Sequence, residues 1–134
     1  MNYCKVDGIV YRAIVTSISE NFNILYSEGT GRTIAPGARM TLSPLGTFFG
    51  HKVTFARKNG YEDEYDRLFE VLSRPRTEGI PIEMVHDQTT ISYEAYVSSG
   101  ERKLKRIDLK MGKVCWDELA VNFIPMEAQV RSYD

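Results

Sequence analysis

Phe49-Gly50-His51-Lys52-Val53-Thr54-Phe55 and Tyr61-Glu62-Asp63-Glu64-Tyr65-Asp66-Arg67-Leu68-Phe69-Glu70-Val71-Leu72 decide the fold. In the first stretch Phe49, His51, Val53 and Phe55 face one way, and Gly50, Lys52 and Thr54 face the other. That is the period of a strand with one side in a core. In the second, Tyr61, Tyr65, Leu68, Phe69 and Leu72 fall at i, i+4, i+7, i+8 and i+11, the stripe of an amphipathic helix. The spacing predicts a helix over about 61–73. Asn59 is the expected N-cap, with Glu62 as its capping-box partner, and the early acids suit the positive end of the helix dipole. Pro75 should end the helix.

Working upstream, Gly8–Thr16 reads as a strand apolar on both sides and so buried on two faces. Ile18–Tyr26 reads as a second strand, with polar residues Ser19–Asn23 suggesting a bend. The stretch of about 28–46 carries Gly29, Gly31, Pro36, Gly37, Pro44 and Gly46. It reads as a long loop or loose hairpin, a length that is uncommon in compact domains and often functional. Downstream, Ile80–Val85 leads to a turn at His86-Asp87-Gln88. Thr90–Val97 is a clean alternating strand, and Ser98-Ser99-Gly100 is a turn signal. Arg102–Met111 reads as a polar strand and Leu119–Pro125 as a closing one. The expected fold is mainly β: an antiparallel β-sandwich or split barrel in a single domain, 1–134, with one flanking α-helix.

The chain has 134 residues, 43% apolar and 26% charged, with a net charge of -1. Such a balance gives no global attraction to nucleic acid or to an anionic membrane. No apolar run approaches the roughly 20 residues that span a bilayer. Met1–Asp7 lacks the apolar core of a signal peptide, so the protein is expected to start its life in the cytosol. Cys4 and Cys115 are far apart and outside any CxxC arrangement, and they are expected to be reduced thiols.

Catalysis needs convergent titratable groups with a nucleophile or a metal. His51 lies mid-strand on the core-facing side, where a hydrogen-bonded buried histidine is expected. His86-Asp87 could be an oriented base, but neighbours in a turn rarely aim at each other. The histidines and cysteines match no usual zinc spacing. Gly29-Thr30-Gly31-Arg32-Thr33 lacks the spacing of a phosphate loop. No enzyme activity, cofactor or metal is therefore expected. Glu62-Asp63-Glu64 reads plainly as a solvated helix start. Arg102-Lys103-Leu104-Lys105-Arg106 reads as an edge strand guarded by charge. Its functional reading is a patch that docks an acidic surface, such as the helix start of a neighbouring copy. A small β-barrel binding module for nucleic acid or carbohydrate is the alternative, although the patch lacks the interleaved aromatics of a single-strand reader.

Five stretches, in order and spacing, resemble a small family of prophage-encoded tail proteins from siphophages of Gram-positive hosts. They are Thr30-Gly31-Arg32-Thr33, Gly46-Thr47-Phe48-Phe49, the helix Glu64–Pro75, Tyr93–Gly100 and Trp116–Glu127. The similarity runs from about Gly8 to Gln129. It implies a tail-tube or distal-tail fold and a homo-oligomeric ring, usually hexameric, around the channel that carries DNA. Implied partners are other copies and other phage tail proteins (tube, tape measure, tip or hub), with DNA only in passing and no membrane. The implied location is the virion tail, assembled in the bacterial host cytoplasm. The long loop would reach a neighbouring subunit or ring. Many distal-tail proteins carry a second, host-facing domain, for which 134 residues leave no room, so the ring-forming part, a tube protein or a completion protein is expected. The inter-subunit contacts expected from these readings are Gly29, Gly31, Arg32, Thr33 and Arg39 in the loop, Glu62 and Asp63 on the helix, and Arg102, Lys103, Lys105 and Arg106 on the basic strand.

Overall fold

A computed structural model of the chain describes residues 4–28, 30–32 and 37–131. Its strands are β1 (Cys4–Val6), β2 (Ile14–Tyr26), β3 (Gly31–Arg32), β4 (Met40–Thr41), β5 (Pro44–Ala56), β6 (Ile80–His86), β7 (Thr89–Asp108), β8 (Lys113–Pro125) and β9 (Val130–Arg131). The helix α1 spans Glu62–Ser73, between β5 and β6. Seven strands form one sheet in the order β1-β6-β7-β8-β5-β2, with β9 paired to β5, and β3-β4 is a separate two-stranded ladder. Every pairing is antiparallel. The fold is thus mostly β with one flanking helix, as the periodicities predict. The main sheet curls without closing into a barrel, the split form of the two expected arrangements.

The core follows the period-two patterns. Ile80, Ile82 and Met84 of β6, Val53 and Phe55 of β5, and Leu119, Val121 and Phe123 of β8 point inward and are buried. Tyr65, Leu68 and Leu72 close this core from α1, with Phe69 partly buried beside them. The Tyr65 hydroxyl donates to the Asp117 carbonyl at 2.6 Å, so a fully buried helix side chain also anchors β8. The helix ends at Ser73, and Arg74 is already extended ahead of Pro75, as the proline dictates.

Several expectations are corrected. The N-cap is Tyr61, with no side-chain cap, rather than Asn59; Glu62 reaches back only to the Gly60 N–H at 3.1 Å. Gly8–Thr16 is not a strand buried on two faces. The strand runs unbroken from Ile14 to Tyr26 through the expected bend, and all but Ile18 of its residues are exposed. It lies at the sheet edge, where one ladder partner and no covering layer leave apolar side chains in solvent. Ser98-Ser99-Gly100 does not turn the chain. It is a bulge inside β7, between the Val97 and Gly100 pairings with β8. A bulge bends a long strand without ending it, which a curling sheet requires. The strand expected over Leu119–Pro125 begins at Lys113 and is followed by the short β9, and the stretch of about 28–46 contains the β3-β4 ladder and the first residues of β5.

Candidate assembly surfaces

The register of the main sheet leaves two hairpin arms. β5 pairs with β8 only over His51–Phe55 and Leu119–Phe123. Beyond His51, the β2-β5 hairpin continues to Tyr26 and Pro44, with β9 paired to the other side of β5 at Gly46 and Thr47. Beyond Leu119, the β7-β8 hairpin continues to Asp108 and Lys113. The arms leave the shared register at opposite ends, and at about 3.3 Å per residue each reaches roughly 20 Å past it.

The β7-β8 arm ends in a turn built by Asp108, whose Oδ1 accepts from the N–H groups of Lys110 and Met111, both at 3.1 Å. Gly112 completes it at φ 64, a conformation glycine adopts without strain. This turn holds Leu109 (89% exposed) and Met111 (67%) in solvent, with exposed Ile107 and Val114 behind them. Lys103, Lys105 and Arg106 are exposed along the same arm. β6 pairs with β7 only as far as Ala95, so the outer side of this arm is an edge, and its cations guard it. Arg102 sits at the base and is engaged within the chain. Its guanidinium lies 3.7 Å from the Phe69 ring centroid and 4.1 Å from that of Trp116, tying α1 to the arm.

The β2-β5 arm ends in the long loop. Ser27 donates to the Ser43 carbonyl and Ser43 to the Thr30 hydroxyl, which close its neck. Gly31 and Arg32 pair with Thr41 and Met40, and Arg32 Nη1 donates to the Ala38 carbonyl at 3.3 Å. Arg39 is exposed beside them. Gly29 and Thr33 lie outside the described residues. Glu62 and Asp63 occupy the first turn of α1 and belong to neither arm. Glu62 is held below its usual carboxylate range by backbone N–H groups, its own and that of Gly60. The expected contact residues therefore fall on three separate surfaces.

The outer edge of β2 pairs with no other described strand. Its sequence, IVTSISENFNILY, contains no Lys, Arg or Pro to discourage pairing. Phe22 is 70% exposed, and Ile14, Val15, Ile24, Leu25 and Tyr26 are exposed with it. Sequence reading missed this surface because it assigned Ile14–Thr16, the start of the strand, to a doubly buried strand and split it from Ile18–Tyr26.

His51 is fully buried and hydrogen-bonded, as its place in the alternation predicts. Its Nδ1 lies 2.6 Å from the Tyr93 hydroxyl, and its Nε2 lies 3.0 Å from both Glu20 Oε2 and the Val85 carbonyl. His86 does not depend on Asp87 for its orientation. Its Nδ1 is 2.7 Å from the same Glu20 oxygen, while Asp87 lies 3.6 Å from Nε2. Nothing local in the sequence links Glu20 to either histidine. Among the described residues no three His, Cys, Asp or Glu side chains are arranged to hold a metal ion.

A groove of about 490 Å³ lies where the end of α1 meets the β7 bulge. Leu72, Ile80, Ala95 and Val121 form its floor, with Arg74 and Arg76 at its rim, and neither histidine lines it. The two cysteines are free thiols. Burial pushes the Cys4 thiol up to about 12, whereas a hydrogen bond from Arg106 lowers that of Cys115. No described helix is long and apolar enough to cross a membrane.

No protein-family model and no curated protein sequence matches the chain. Among solved structures, it is similar to a chain of the tail of an empty GTA particle with C6 symmetry, with a TM-score of 0.55 and 11% identity over 87% of this chain and 80% of that one. It is also similar to the SPP1 Dit protein, from the hub adsorption apparatus of phages that infect Gram-positive hosts. There the TM-score is 0.49 and the identity 14%, over 93% of this chain but only about half (49%) of that one. What the GTA tail chain and this one share is the fold.

Proposed function

We propose that this chain is a structural component of a phage or prophage tail, six copies of which close into a ring at the tail tube or distal tip. DNA passes through the ring without being bound. The observation that carries this reading is the outer edge of β2: thirteen residues, nearly all exposed, with no guarding cation or proline. A monomer with such an edge is prone to uncontrolled pairing, whereas an assembling protein covers it with a neighbour. The fold shared with a chain from a C6-symmetric tail supports the six-fold closure. Rings are heterologous assemblies, in which one surface meets a different surface on the next copy. Lys103, Lys105 and Arg106 on one arm and Glu62 and Asp63 on the helix offer such a complementary pair. Gly31, Arg32 and Arg39 cap the other arm, at the opposite end of the sheet, where contacts to a stacked ring or another tail protein belong. The role is structural rather than catalytic, and its place is the virion tail.

The experiment is light scattering on the purified chain, alone and with tail partners, beside a variant carrying K103E, K105E and R106E. Wild type should associate and the variant should not, with unchanged circular dichroism, because exposed charges contribute little to folding. A strict monomer at high concentration, even with tail partners present, would refute the reading. An unchanged oligomer in the variant would remove the basic arm from the interface.

A further inference from the structure

The curled sheet is open along one seam. In the hydrogen-bonded order β6 and β2 are four ladders apart, yet their side chains meet. Glu20 of β2 bridges His86, at the end of β6, and His51 of β5 through one carboxylate oxygen, at 2.7 and 3.0 Å. His51 Nε2 also meets the Val85 carbonyl of β6, and the Phe49 ring packs edge-on against His86 with centroids 5.0 Å apart. No backbone ladder among the described strands joins the two sides here, and these contacts span this part of the seam.

We propose that Glu20 and His86 form a proton-operated clasp that holds the β2-β5 arm against β6 across the open seam. His51 is its fixed post. A carbonyl only accepts, so Nε2 of His51 carries the proton shared with Val85 and Glu20, and Nδ1 accepts from the Tyr93 hydroxyl. Burial raises the Tyr93 phenol and keeps it a donor. His86 is the moving part, a quarter exposed on its side chain and within reach of solvent protons. The hydrogen bond to Glu20 raises its pKa, partial desolvation opposes this, and the charges of Glu20 and Asp87 add to the rise. The other titratable groups nearby are Cys4 of β1, whose burial keeps it a thiol, and Lys5 and Glu83, which pair with each other at 3.7 Å.

The sign follows from linkage. A histidine raised in the folded state contributes stability that is complete below its unfolded value, about 6.5, and is lost as pH rises through the folded value. The clasp is therefore tight in mild acid and loosens toward alkaline pH as the charge on His86 disappears. The strand it releases is β2, whose outer edge pairs with no other described strand.

The test combines two measurements on the intact chain. In an NMR titration the His86 ring should have its midpoint above about 6.5, and Glu20→Gln should lower it. Hydrogen exchange, corrected for intrinsic rates, should show protection of Ile18–Phe22 falling several-fold more than that of Val121 between mild acid and alkaline pH. In His86→Phe, which keeps an aromatic ring against Phe49, the two should change together. Glu20→Gln supplies the same exchange readout if His86→Phe does not fold. A His86 midpoint unmoved by Glu20→Gln, or β2 protection that tracks Val121 in wild type, would overturn the clasp. Neither outcome depends on whether the chain forms rings, so the clasp and the tail reading fail separately.

Discussion

Replacing Arg102 with alanine should destabilise the fold more than any other single change in the basic arm. The guanidinium is stacked between Phe69 and Trp116, with centroid distances of 3.7 and 4.1 Å. A cation over one ring contributes about 0.5–1 kcal/mol when exposed and ~2 when desolvated. Two rings and a half-buried stem give a loss of about 1–3 kcal/mol on truncation. For a domain of this size that is a fall in Tm of roughly 3–12 °C. Lys103→Ala is the control: its side chain is 69% exposed, its partner Glu118 lies 3.7 Å away, and such pairs contribute about 0–1 kcal/mol. Arg102→Lys should lie between the two, because it keeps the charge and loses the planar stack. Urea denaturation gives the free energies, and Trp116, the sole tryptophan, reports locally through its emission. Arg102→Ala should shift that emission to the red as water replaces the guanidinium. A loss no larger than that of Lys103→Ala, with emission unmoved, would refute the stacking argument.

Tyr65→Phe should cost about 0.5–1.5 kcal/mol in the same denaturation series, since it removes the 2.6 Å bond to Asp117 while the buried ring stays. Tyr93→Phe should cost about 1–3 kcal/mol by leaving Nδ1 of buried His51 without its donor. Gly50→Ala should destabilise by about 1–3 kcal/mol, because its methyl would stand 2.8 Å from Asn21 Oδ1 and 3.1 Å from the Phe123 carbonyl, and the latter is backbone that cannot swing aside; calorimetry at fixed pH checks it.

What was legible in the sequence was whatever repeats locally. The alternation of Val53 and Phe55 and the helical stripe of Tyr65, Leu68 and Leu72 each state which face is buried, and the structure buries those faces. The alternation also gave His51 its buried, hydrogen-bonded place. What was hidden depends on which strands lie side by side. Gly8–Thr16 is apolar enough for a core, but the sheet order puts β2 at an edge, so Ile14 and Val15 are exposed. Ser98-Ser99-Gly100 has turn chemistry, and the same small residues serve equally as a bulge in a strand that continues to Asp108. The basic run was read as one patch, yet Arg102 stacks inward while Lys103, Lys105 and Arg106 line the arm, because the bulged strand turns its base toward α1. The Glu20 contacts join residues 31 and 66 positions apart, a distance no local pattern spans.

The ring proposed for this chain rests on the bare β2 edge and the basic β7-β8 arm. Electron microscopy of the chain assembled with its tail partners tests it most directly. The account predicts rings with six-fold symmetry in which the outer edge of β2 is covered by the adjacent copy. Particles in which that edge faces solvent in every copy, or open chains of varying length, would contradict it.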